Sequence, residues 1–245
     1  MSTILYLDCS LSGISGDMTL GALADLGADL ELIEQQLQSF PIEPFKLERK
    51  GVLKKGIYSQ KVDVVVDPDT PPAHHRHYST IKKMIEESQI SGRAKQLAIR
   101  IFEPIAQAEA KIHNTSVDKV HFHEVGTVDS IVDIVGVAIA LDQLEINQVF
   151  SSPVVVGSGS IHIDHGRYPV PAPATLEILR GVPILESDLN GELTTPTGAA
   201  IIKGLSTSFG PMPSMTVTQI GYGAGTKDFE GHPNVLRAVI GERVE

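Results

Sequence analysis

A chain of 245 residues with 42% hydrophobic and 20% charged content can bury a full core, as one large α/β domain or two smaller ones. Its formal net charge of −10, with no basic block to offset it, argues against non-specific binding to nucleic acid or anionic membrane and favours cationic ligands, metal ions included. The single Cys9 excludes an internal disulfide and any multi-thiolate zinc or iron–sulfur site; no signal peptide or spanning run is recognisable, so the expected compartment is the cytoplasm.

Residues 3–8 form an apolar run ending in Asp8, followed by Ser10-Leu-Ser-Gly-Ile-Ser-Gly-Asp-Met18 and a helical pattern through Leu26. Strand, glycine-bearing loop and helix in that order put a ligand beyond the strand's carboxyl end, where Gly13, Ser15 and Gly16 would let backbone N–H groups face an anion. The loop is neither a Walker loop nor a dinucleotide fingerprint. Asp8 and Asp17 read as metal ligands or acid–base groups, with helix capping the plain alternative for Asp17. A second helix is expected from Asp29 to Ser39, then a strand–turn–strand hairpin over 45–66 whose basic residues read as a solvated face. The loop over 67–78 is proline-bounded, is expected to be mobile, and carries His74, His75 and His77, which could capture a soft divalent ion. Two helices follow, 78–88 and 92–113, the second with Pro104 inside it.

The stretch from His121 to Gly136 packs two imidazoles and three carboxylates into thirteen residues, His121 to Asp133. Val128, Ile131, Val135 and Ile139 recur at helical spacing, so a helix starting near Thr127 buries that stripe and projects Asp129 and Asp133 from one face. If 120–124 is extended, His121 and His123 point to the same side just before the helix. Imidazole and carboxylate at such spacing suit Zn, Ni, Mn or Fe, and paired carboxylates suit Mg or Mn carrying a phosphate. Taken singly, each has a plain reading: Asp129 offsets a helix dipole, and a lone histidine faces solvent.

A β-branched strand is expected over 148–156, then a Gly/Ser loop bearing His162, Asp164 and His165, a short helix to Arg180 and a strand over 182–185. Thr195 and Thr197 stand in a loop entering a helix, where hydroxyls and free N–H groups suit a phosphate, though threonine is also a routine cap. A strand over 215–220 is expected to give way to a loop, Gly221-Tyr222-Gly223-Ala224-Gly225, pressed against a ligand or another backbone. A last strand runs from Pro233 to Ile240.

Four of these motifs, in this order, carry a likeness. Gly13-Ile-Ser-Gly-Asp-Met18, His121-Phe-His-Glu-Val-Gly126 with Val128-Asp-Ser-Ile-Val-Asp-Ile-Val-Gly136, Thr195-Pro-Thr-Gly-Ala199 and Gly221-Tyr-Gly-Ala-Gly225 resemble the LarC family, nickel-inserting maturation proteins of lactate racemase. The resemblance runs over nearly the whole chain. It implies a lyase-class enzyme that inserts nickel into a pyridinium bis-thiocarboxylate mononucleotide, in a CTP-dependent cyclometallation that needs Mg or Mn. On that resemblance His121, His123, Glu124, Asp129 and Asp133 are expected to bind metal, with Asp8 and Asp17 closing the site, and the base is expected to be Asp17, Glu124 or one of the two histidines, His121 and His123. Gly13, Ser15, Gly16, Thr195, Thr197, Tyr222 and Gly223 are the expected cofactor-binding residues. Family members usually continue into a C-terminal ferredoxin-like domain associated with CTP binding and oligomerisation, so 1–245 is expected to be the single α/β N-terminal domain, able to bind precursor or nickel without turnover.

The expected fold is α/β, a mixed, largely parallel sheet flanked by helices, with the 45–66 hairpin as a small antiparallel element. Two other functions fit the same residues: a metal-dependent phosphohydrolase using Asp129 and Asp133, and a non-catalytic nickel-binding delivery module.

Overall fold

The computed structural model describes residues 2–70, 76–122, 125–163 and 166–244. Strand β1 (Thr3–Asp8) leads into helices α1 (Gly16–Asp25) and α2 (Leu30–Leu37), then the hairpin β2 (Phe45–Lys54) and β3 (Ile57–Val66). Lys55 and Gly56 join the hairpin, both at positive φ (48° and 88°), the backbone that matches a two-residue turn to strand twist. A short strand β4 (Arg76–His77) follows, so the loop expected over 67–78 gives way to regular structure at its end; His74 and His75 lie outside the described residues. Helices α3 (Tyr78–Glu87) and α4 (Gly92–Ile112), strand β5 (His121–Phe122) and helix α5 (Val128–Gln143) complete the first half.

The run expected as one strand over 148–156 is two, β6 (Gln148–Ser151) and β7 (Val154–Val155), divided where Pro153 cannot donate to a ladder. Strands β8 (Gly157–Ser158), β9 (Ser160–Ile163) and β10 (Gly166–Pro169), helix α6 (Pro173–Ile178), and strands β11 (Ile184–Leu185) and β12 (Gly191–Glu192) follow, and outside the main sheet β9 pairs with β10, β11 with β7 and β12 with β8, while α6 packs on α4 and α7. Helix α7 (Pro196–Leu205) runs directly into β13 (Ser206–Phe209), an element the sequence pattern did not announce, and β14 (Met215–Ala224) and β15 (Val235–Arg243) end the fold.

Seven strands form the main sheet in the order β13-β6-β1-β15-β14-β3-β2. Five run in one direction and β15 and β2 oppose them, so the sheet is mixed and mostly parallel in direction. Alternation along β1 shows what each face does: Leu5, Leu7 and Cys9 enter the large core beneath the helices, while Ile4 and Tyr6 join Phe150 and Val239 in a small cluster on the opposite face. Helices α1, α5 and α7 all contact the sheet, and α4 packs against α5 and α7. Helix α5 is buried almost all round, which is why Val128, Ile131, Val135 and Ile139 are only part of its apolar surface.

Two features of the register shape the site. Gly223, next to the end of β14, pairs with Gln60, so residues 61–66 of β3 rise past the carboxyl end of β14 and form a wall there. The glycines of 221–223 belong to β14, not to a loop: a Cβ on Gly223 would stand 1.7 Å from the Met18 carbonyl oxygen, and one on Gly221 2.5 Å from that of Ala22. They let α1 lie directly on the sheet, the backbone alternative of the two that sequence reading left open. Among the described residues, no helix is long and apolar enough to cross a membrane.

Candidate functional site

Three helices begin at one place. The first turns of α1 (Ser15, Gly16, Asp17), α5 (Asp129, Ser130) and α7 (Thr195, Pro196, Thr197) line a cavity of about 410 Å³ whose far wall is Lys61 to Val64 of β3. Each start has a local cause. Ser15 caps α1, its hydroxyl accepting from Met18 N and donating to Asp17; Thr195 caps α7 by accepting from Gly198 N at 3.1 Å; Thr127 holds extended backbone ahead of α5. The α1 and α7 starts are joined, since Ile14 N donates to Leu193 O (3.2 Å) and Thr195 N to Ile14 O (3.1 Å). Converging helix starts leave unpaired backbone N–H groups and positive dipole ends, which stabilise negative charge.

The side chains are mostly carboxylates around one ammonium. Lys61, 6% exposed, places Nζ 2.5 Å from Asp17 Oδ2 and 2.9 Å from Asp63 Oδ1. Burial works against its charge, but Asp17 and Asp63 outweigh it and hold the Lys61 pKa above the ordinary lysine value. Among the described residues Asp133 has no such partner. Burial, then the charges of Asp17 and Asp129, push its pKa well above the carboxylate range, and its Oδ1 is sealed from solvent without a hydrogen bond. On its other side a Cβ on Gly16 would meet Asp133 Oδ2 at 2.5 Å, so α1 and α5 touch through that glycine. An acidic group this short of positive partners suits a cation, and the helix starts around it suit an anion.

Of the residues singled out from sequence, Ser15, Gly16, Asp17, Asp129, Asp133, Thr195 and Thr197 come together at this cavity. His123 and Glu124 lie outside the described residues. Asp8 is elsewhere, because strand alternation sends it to the sheet face opposite α1; there it accepts from Ser10 and pairs with Arg237. His121 is exposed and its ring lies against His77. Gly13 (φ 68°) is pressed on the Leu193 backbone, which a Cβ would meet at 2.4 Å. Tyr222, next to Arg237 across the strands, and Gly223, beneath α1, do not line the cavity either. Among the described residues, no three His, Cys, Asp or Glu side chains stand ready to hold a metal ion together. Cys9 is no alternative ligand: burial pushes its thiol up to about 12.

A family model described as nickel insertion protein matches residues 5–245. The chain belongs to that family. It is 55% identical over 246 aligned positions to a pyridinium-3,5-bisthiocarboxylic acid mononucleotide nickel insertion protein of Geobacillus kaustophilus, covering 98% of this chain and 60% of that protein. The protein of the same name from Staphylococcus epidermidis is 53% identical over 98% of this chain and 59% of its own length. A putative nickel insertion protein of Rhodopirellula baltica is 53% identical, over 100% and 61%. The chain thus spans about 60% of the length of these relatives. No solved structure matches it.

In this member of the nickel insertion family, the sequence reading missed Lys61, Asp63, Glu192 and Thr226, all of which line the cavity. Lys61 and Asp63 sit in a hairpin whose charges looked like a solvated face. Only the offset of β3 past β14 brings them inward, and no local pattern encodes that offset.

Proposed function

We propose that the chain forms the active portion of an enzyme that inserts nickel into pyridinium-3,5-bisthiocarboxylic acid mononucleotide, with the ion and the mononucleotide both as substrates. The observation that carries this reading is the mixed-sign cavity, helix starts and Lys61 set against an acidic cluster. A pyridinium mononucleotide is itself of mixed sign, with a fixed ring cation, an anionic phosphate and anionic thiocarboxylates. The α7 start, with Thr195 and Thr197, suits the phosphate. Asp129 and Asp133 suit the ring cation and an incoming borderline ion.

In the finer form of the proposal the reaction is a CTP-dependent cyclometallation. Asp133 Oδ1, buried and unpartnered beside Asp129, fits a hard divalent ion such as Mg or Mn, which would screen phosphate charge there. Bonding nickel to a ring carbon releases the proton that carbon carried. Asp17, fixed by Ser15 and Lys61, is the acceptor we favour, with His123 and Glu124 as the other candidates.

The test is to incubate the purified chain with the mononucleotide, Ni²⁺ and Mg²⁺, with and without CTP, and follow the nickel-bearing product by mass. Product from wild type and none from Asp133→Asn is the expected outcome. No product, together with no heat of mononucleotide binding in calorimetry, would overturn the assignment. CTP cleavage without nickel or mononucleotide would favour a phosphohydrolase instead.

A further inference from the structure

Outside the cavity, the strands β4 and β5 set two imidazoles face to face. His77 and His121 are directly opposed in an antiparallel pair, and the neighbouring bond from Tyr78 N to Val120 O (3.1 Å) makes theirs a non-hydrogen-bonded position, where side chains stand closest. Their ring centroids are 3.7 Å apart with planes tilted by 43°. His121 is exposed and His77 half-buried, and among the described residues neither ring has a side-chain partner other than its opposite number. The pair is rigidly placed. Arg76, beside His77, donates to Gly126 O at 2.8 Å and pairs with the buried Glu43, while a Cβ on Gly126 would meet Phe122 O at 2.7 Å. These contacts fasten the imidazoles to the segment that opens α5, the helix that carries Asp129 and Asp133 to the cavity.

We infer that His77 and His121 form a two-imidazole capture site for a borderline divalent ion, nickel above all, on the surface outside the cavity. Neutral imidazole suits Ni²⁺, Cu²⁺ and Zn²⁺ and is a poor ligand for Mg²⁺, so the pair would select the ion to be inserted over the hard ion that accompanies phosphate. Two donors held on paired strands lose less freedom on binding than two on separate loops. Solvent completes the coordination shell, which leaves the ion exchangeable. The loading role rests on the nickel-insertion reading; the binding does not.

Ni²⁺ bound to the purified chain is measured by calorimetry and, after equilibrium dialysis, by elemental analysis, for wild type, His77→Ala, His121→Ala, the double variant and His162→Ala, an exposed histidine on β9. Wild type and His162→Ala are expected to hold one nickel equivalent more than either single variant or the double variant, and excess Mg²⁺ is expected not to displace it. Asp133→Asn keeps that equivalent even where insertion is lost, so failure of the insertion reading and failure of this site are told apart. X-ray absorption at the nickel edge should show two imidazoles in wild type. Equal nickel stoichiometry and affinity in wild type and the double variant, with unchanged circular dichroism, would overturn the site.

Discussion

Asp8 and Asp17 flank the same glycine-bearing loop, and each is ion-paired, yet they belong to opposite kinds of environment. Asp8 is saturated. Burial acts to raise its pKa, but the Ser10 hydroxyl and Arg237 prevail and hold it below the ordinary carboxylate value. Arg237 also faces Tyr222, so both members of the Asp8–Arg237 pair have a further hydrogen-bonding neighbour. Across the sheet, Lys61 serves Asp17 and Asp63 together while Asp129 and Asp133 crowd beside them, and Asp133 is left with an unbonded oxygen. A balanced pair holds strands in register. An unbalanced cluster is maintained against its own electrostatics, which is the physical mark of a site.

The largest test of this contrast is Lys61→Met. It removes the only ammonium among the described residues lining the cavity, leaving Asp17 without its ammonium partner and Asp63 with Lys50 alone, so stability should fall by about 3 kcal/mol. Chemical denaturation measures it, and adding Asp17→Asn should restore part of the loss; an unchanged midpoint would mean that Lys61 is not the hub. Gly223→Ala comes next. Its Cβ would need the space of the Met18 carbonyl oxygen, so α1 must lift from the sheet at a cost of about 1–3 kcal/mol, carrying Asp17 away from Lys61. Mononucleotide affinity should fall with stability in that variant, whereas Lys61→Arg should keep both.

How much of this was readable in the chain follows from the range of the forces involved. Helix starts near Asp17, Thr127 and Thr195 are written locally, by a polar residue ahead of an apolar stripe, and helices begin at all three, though Ser15 rather than Asp17 caps α1 and Thr127 holds its place without a side-chain bond. So was the pairing of Asp129 with Asp133, four residues apart on one helix. Asp8 was misplaced because a two-residue period says that it faces away from Leu7 but not which face the helices will cover. Tyr222 and Gly223 were misplaced because glycine serves close backbone packing and close ligand approach alike. The His77–His121 pair joins residues 44 positions apart, a meeting that only strand pairing decides.

The two smallest effects should carry opposite signs in pH. Asp133 has a raised pKa in the fold, so it binds its proton more tightly when folded; its ionisation costs stability progressively as pH climbs from the unfolded carboxylate value of about 4 towards the folded one. Asp133→Asn should therefore flatten that decline and be more stable than wild type at pH 8, by about 1 kcal/mol or more, the scale of relieving a buried unpartnered group, while losing insertion activity. Asp8 behaves in reverse. Its pKa is lowered, so its contribution is present above about pH 4 and vanishes as pH falls through the folded value. Because Arg237 is 46% exposed, Asp8→Asn should cost only about 0.2–1 kcal/mol at pH 7 and leave nickel and mononucleotide binding unchanged. Urea titrations of both variants between pH 3 and pH 8 would show, relative to wild type, the decline on the alkaline side flattened in Asp133→Asn and the decline on the acid side flattened in Asp8→Asn. Parallel curves would mean that the two aspartates sit in equivalent surroundings, and the balance that separates a strand clamp from a working cavity would have to be sought in other residues.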